Sequence, residues 1–192
     1  MVNLRSPGLW LLIGGLEMLF LVHLAEFLYP GYSVSQNYIS DLGVGPTSAR
    51  WVFTGAIILF GFMALAAAVF LRQRSKKSLL WPSLALSGIG AIGVGVFNED
   101  YIPAAHALFA LMAFLFGNLA VIISYKVVCP PLSWLFVLLG LIGLSALVLL
   151  GTSTYLGLGA GGMERIIFYP AMFWALSFGA SMTAEENRAC SS

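Results

Sequence analysis

Apolar residues run along this chain in six long blocks, over residues 8–28, 50–71, 79–97, 104–125, 132–151 and 163–182. A bilayer core of about 30 Å is crossed by about 20 helical residues at about 1.5 Å each, and every block has about that length. The pattern therefore predicts six transmembrane helices. Each break carries its own punctuation: Pro30-Gly31, the polar run Arg72-Gln73-Arg74-Ser75-Lys76-Lys77, Asn98-Glu99-Asp100 with Pro103, Pro130-Pro131, and a Gly-rich stretch at 157–162. The first block exceeds a signal-peptide core, and His23 and Glu26 stand where small cleavage-site residues would follow, so it reads as a retained helix. No soluble domain, biased tail or repeat interrupts the pattern. The expected architecture is all-α: a single membrane domain over residues 1–192, folded as a six-transmembrane-helix bundle.

Composition agrees: 60% of residues are hydrophobic and 9% charged, against about 25% charged in an ordinary soluble domain. A chain this short leaves much of its surface exposed, and in water that surface would be apolar. The 9 basic and 8 acidic residues leave no electrostatic footprint for nucleic acid. Sidedness follows from the nine basic residues. Seven of them (Arg5, Arg72, Arg74, Lys76, Lys77, Lys126 and Arg188) fall at one set of helix ends, and two, Arg50 and Arg165, at the other. The positive-inside rule places the first set, and both termini, in the cytoplasm, and the chain in the cell membrane as a multi-pass protein. Cys129 and Cys190 then share the reducing side, which argues against a structural disulfide. Trp10 and Trp174 lie too deep for the interfacial aromatic belts and read as packing residues.

With that topology most ionisable residues outside the cytoplasmic loops come to one depth. His23 and Glu26 end the first helix, Ser40 and Asp41 lie in the first outer loop, and Arg50 opens the second helix. Glu99 and Asp100 follow the third, His106 opens the fourth, and Glu164 and Arg165 open the sixth. Solvated loop charges and helix-end effects of about 0.3–1 kcal/mol account for some of these. A charge within a span costs about 2.5–3.5 kcal/mol on insertion scales and normally faces the bundle with a partner. His23 and Glu26, three apart, share a helix face and pair in the simplest reading. Glu17, in mid-span, is expected either to be held protonated by desolvation or to bond Ser or Thr of a neighbouring helix. The loop Asn37-Tyr38-Ile39-Ser40-Asp41-Leu42-Gly43 reads as a compact turn before a helix capped by Thr47 or Ser48, with Asp41 available to Arg50 or Arg165.

The segments Ile39-Ser40-Asp41-Leu42-Gly43, Gly95-Val96-Phe97-Asn98-Glu99-Asp100 with His106, and Gly162-Met163-Glu164-Arg165 with Tyr169-Pro170 and Trp174 resemble, in order, the membrane family catalogued as domain of unknown function 998. A more distant likeness is to DRAM-type eukaryotic membrane proteins. The resemblance implies six helices and marks Ser40, Asp41, Glu99, His106, Glu164 and Arg165 as family-like positions. It implies no activity. Asn98 stands where the family is expected to favour proline.

Four functions are compatible with these residues. An outward-facing polar pocket would hold a lipid headgroup or a cation, with Arg50 and Arg165 taking a phosphate and the carboxylates an amine or divalent ion. A membrane hydrolase would ligate zinc or another divalent cation through His23, His106 and Asp41 or Glu26, with Glu99 as base, although no closely spaced motif supports it. A small transporter would use Glu17 and the glycines of the third helix, which otherwise read as a packing face. A structural role beside another membrane protein, or in a homo-oligomer, is the fourth.

Overall fold

The structure, a computed structural model, describes residues 4–191, with side chains through residue 184. Cys190 and Arg188 therefore lie outside the described side chains. Six helices form: α1 (Pro7–Leu28), α2 (Ser48–Arg74), α3 (Leu80–Val96), α4 (Pro103–Ile123), α5 (Leu132–Gly151) and α6 (Gly159–Ser191), with 3-10 turns at Ser40–Gly43 and Ser124–Lys126. Each packs on its sequence neighbours, and α1 packs on α6, so the helices close an antiparallel ring. Five are long and apolar enough to cross a membrane, and α3, at 17 residues, is the shorter apolar helix. Seventeen residues still rise about 26 Å, the lower limit of a spanning helix. Phe20, Trp134 and Val148 stay about 70% exposed on the outside of the ring, as a lipid-facing surface requires.

Small residues set how closely the ring closes. The four glycines of α3 serve two seams: Gly88 and Gly95 face α2, and Gly90 and Gly93 face α4. A Cβ on Gly88 would stand 2.8 Å from the Gly61 carbonyl oxygen, so these backbones meet only without side chains. Gly140 and Gly143 bring α5 against Ile122 and Asn118 of α4 in the same way. Trp174 is buried, stacks on Phe178 and donates its indole N–H to Ser124 Oγ at 2.8 Å.

The helix limits depart from expectation after α2 and at both ends of α6, which runs on past residue 182 to Ser191, and the cap of α2 departs as well. The basic run after α2 stays helical to Arg74, with Arg72 resting 5.1 Å over the Trp81 ring. The Gly-rich stretch is not all loop: α6 begins at Gly159, because Gly161 and Gly162 donate their N–H groups to Ser35 O and Gly161 lies directly against the Asn37 carbonyl. Thr47 holds the N-cap position of α2, but its hydroxyl caps nothing and is buried without a partner.

Candidate functional site

The two ends of the ring differ. One, the basic end, carries Arg72, Arg74, Lys76, Lys77 and Lys126. The other, the capped end, is covered by residues 29–47, which fold back into the mouth of the ring and bury Ile39 and Leu42. Asp41 shapes this cap. Its Oδ2 accepts from the Tyr38 N–H at 2.9 Å and from Asn37 Nδ2 at 3.0 Å, while Asn37 Oδ1 accepts from the Ser33 N–H. A short polar side chain bonding nearby backbone is what favours Asp and Asn in such turns. Asp41 is thus engaged within its own loop, and its expected pairing with Arg50 or Arg165 does not form. Arg50 instead lies over the Trp51 and Tyr101 rings, at 5.6 and 5.7 Å.

Two adjacent residues of α6 hold the cap down. Arg165, 4% exposed, donates to the carbonyls of Val34 (2.9 Å), Asn37 (3.3 Å) and Gly161 (3.0 Å), to Tyr32 Oη (2.8 Å) and to the Glu26 carboxylate. Glu164, 5% exposed, accepts from the Ile39 N–H. From α3–α4, Asn98 donates to Gly43 O at 2.6 Å and Asp100 accepts from the Gly45 N–H at 3.1 Å. Proline at position 98 would lose that bond to Gly43. Tyr32 and Tyr38 are pushed up to about 12, first by burial; the Arg165 guanidinium opposes the shift at Tyr32, and a hydrogen bond with Tyr155 adds to it at Tyr38. Both stay neutral phenols under ordinary conditions.

Beside the cap a cavity of about 380 Å³ opens between α4, α5 and α6. Its polar end holds Tyr38, Ser40, Glu99, His106 and Glu164, and its wall descends past Ala107, Leu111 and Phe114 of α4 and Leu147 and Leu150 of α5. Gly140 and Gly143 of α5 lie against Ile122 and Asn118 near the basic end of α4, and the cavity lies beyond that contact, toward the capped end. Two acidic side chains, Glu99 and Glu164, and no Lys or Arg line the cavity.

His106 is held by Nδ1–H donating to Phe97 O at 3.0 Å, which leaves Nε2 with a lone pair in the neutral ring. That Nε2 is buried, has no hydrogen-bond partner and stands 3.7 Å from Glu99 Oε2. Ser40 Oγ reaches the same Glu99 oxygen at 3.5 Å. Two acceptors cannot hydrogen-bond to each other, and a group bearing N–H donors placed against both satisfies them.

Several expected site residues lie elsewhere. His23 is exposed on the α1–α6 seam, donates Nδ1–H to Leu19 O at 2.7 Å and stacks against Tyr169, so it neither pairs with Glu26 nor approaches His106. The set His23, His106 and Asp41 is not assembled: α1 and α4 do not pack side by side in the ring, and among the described residues no three His, Cys, Asp or Glu side chains converge as metal donors. Arg165 cannot turn to a phosphate while it clamps the cap. Glu17 bonds no neighbour, and both its oxygens are buried without partners. Tyr38 and Phe114 were not anticipated as lining residues. The stripe Ala107, Ala110, Leu111, Phe114 beneath His106, spaced as one helix face, was the available signal.

No curated protein and no solved structure matches the chain, so nothing supports the distant DRAM-type likeness. One family model does match, described as "Protein of unknown function (DUF998)", over residues 12–181. That span holds the cap, the Glu99–His106 pair and the clamp at Glu164-Arg165, and the chain belongs to this family.

Proposed function

We propose that the α4–α5–α6 cavity binds an amphipathic molecule through a cationic amine headgroup, and that the capped end faces the outside of the cell membrane. The observation that carries this reading is the unpartnered His106 Nε2 beside Glu99, at the head of an acidic cavity whose remaining wall is apolar. An ammonium group has three N–H donors and a positive charge. It satisfies the imidazole lone pair, Glu99 and a further acceptor at Ser40 or Glu164, with hydrogen bonds to ionised groups that are about twice as strong as neutral ones. The hydrocarbon part lies between α4 and α5, reached from the surrounding lipid. An anion is disfavoured, since Arg165 is sequestered in the cap and Arg50 is stacked on aromatic rings. The sidedness rests on the concentration of Lys and Arg at the opposite end.

Native mass spectrometry of the detergent-solubilised protein, offered phosphatidylethanolamine and phosphatidylglycerol in equal amounts, tests the reading. Preferential retention of the amine lipid, lost in Glu99→Gln and in His106→Ala, supports it. Equal retention of both lipids, or retention indifferent to both substitutions, overturns it.

A further inference from the structure

Beneath the acidic cavity the ring contains two more voids. One of about 40 Å³ lies under the cap, and one of about 60 Å³ lies at the centre of the bundle. The three share walls. Ser40, Ala110 and Glu164 line both the first and the second, and Ile57, Ala113 and Phe168 line both the second and the third. Phe114 alone borders all three. Protein interiors are ordinarily packed to crystal density, and a void forfeits contacts along its whole lining. A row of voids leading inward from a polar pocket is thus a costly feature in an otherwise closely packed ring.

The hydrogen-bond donors bordering the central void are engaged elsewhere, and the one unpartnered acceptor, Asn118 Oδ1, faces Gly143 of α5 and not the void. Ser87 donates to Ala113 O at 2.9 Å, and Asn118 donates to Phe114 O at 2.9 Å while its oxygen rests against Gly143. An apolar void of this kind stays dry, which argues against a path for water or ions. Its volume holds roughly four water-sized groups at about 15 Å³ each, the scale of a short run of methylenes. Phe114 lies eight residues below His106, about 12 Å along the helix. At about 1.2 Å per extended bond, that depth is reached by about ten bonds of a chain.

We infer that the central void receives the end of a hydrocarbon tail, and that Phe114 is the gate it passes. The inference rests on the amine-amphiphile reading of the outer pocket and specifies its ligand: a single flexible chain longer than about ten carbons, from the bond count above, threaded inward past Phe114. Phe114 is a specificity-determining residue in this account. It swings aside for a tail whose amine is held at Glu99 and His106, and otherwise separates the acidic pocket from the dry interior.

Octylamine and hexadecylamine bearing a diazirine at the terminal carbon test this with the full chain in detergent, by photolabelling and peptide mapping. Hexadecylamine is expected to label the central wall at Leu84, Ser87 or Trp174, and octylamine only the wall above Phe114. In Phe114→Trp the central label is expected to be lost while octylamine labelling persists. Ala171→Leu fills the central void from the opposite side without touching the outer pocket, and is expected to give the same loss should Phe114→Trp not fold. Hexadecylamine that labels only the outer α4–α5 wall in the unmodified protein overturns the gate and leaves the outer pocket standing, as does central labelling that survives both substitutions. If neither amine labels the outer pocket, the pocket reading fails, and the gate with it.

Discussion

His106 Nε2 and Glu99 Oε2 face each other across 3.7 Å at the head of an acidic cavity, with no hydrogen bond between them. The Glu99 side chain is 39% exposed, so replacing it perturbs the site more than the fold. Glu99→Gln is expected to weaken alkylamine binding about ten- to a hundredfold, the value of one charge-assisted hydrogen bond at about 1.5–3 kcal/mol. Titration calorimetry with octylamine checks this, and an unchanged affinity removes Glu99 from the site.

Arg165 pairs with Glu26 of α1 while it donates to the cap carbonyls of Val34 and Asn37. Removing one member of a buried ion pair leaves an uncompensated charge and costs about 3–5 kcal/mol. Arg165→Ala is expected to destabilise the protein by that order and to raise hydrogen exchange across residues 29–47. The double substitution with Glu26→Ala is expected to recover part of the loss, because no orphaned carboxylate then remains. A thermal unfolding series over the three variants reads this directly.

Glu17 leads to the opposite prediction. Both its oxygens are buried without partners, and an ionisable group in a span costs about 2.5–3.5 kcal/mol on insertion scales. Glu17→Leu is expected to raise the unfolding temperature. A lowered temperature would reveal a stabilising contact for this carboxylate.

Tyr32 and Tyr38 tie the cap to pH. Each phenol is raised from 10.0 to about 12, so the folded state holds these protons more tightly than the unfolded chain does. That stabilisation is complete below pH 10 and is lost as pH rises toward about 12. Tyrosinate absorbance is expected to show a late-titrating fraction that moves to about 10 in urea-unfolded protein. The cap should loosen over the same interval.

The helices were legible because hydrophobic block length is a strong signal in lipid: five formed within a few residues of expectation, and α6 runs over Gly159–Ser191 where residues 163–182 were expected. Orientation of individual side chains was less so. Glu26 and His23 are three residues apart, yet a few tens of degrees of helix rotation turn one to Arg165 and leave the other on the surface. Asp41 was legible as part of a compact turn, and within it the Tyr38 N–H and the Asn37 amide take the carboxylate that an arginine would otherwise have claimed. Tyr38 and Phe114 line a cavity assembled from the cap, α4, α5 and α6. For Phe114 the stripe that it makes with Ala107, Ala110 and Leu111 on one face of α4 was a legible sign, whereas Tyr38 reaches the cavity only through the folding of the cap.

The most direct measurement is an experimental structure with hexadecylamine bound. The account predicts the amine nitrogen within hydrogen-bonding distance of both His106 Nε2 and Glu99, with the chain descending along α4. An amine seated away from these two residues, or an anion found between them, would contradict it.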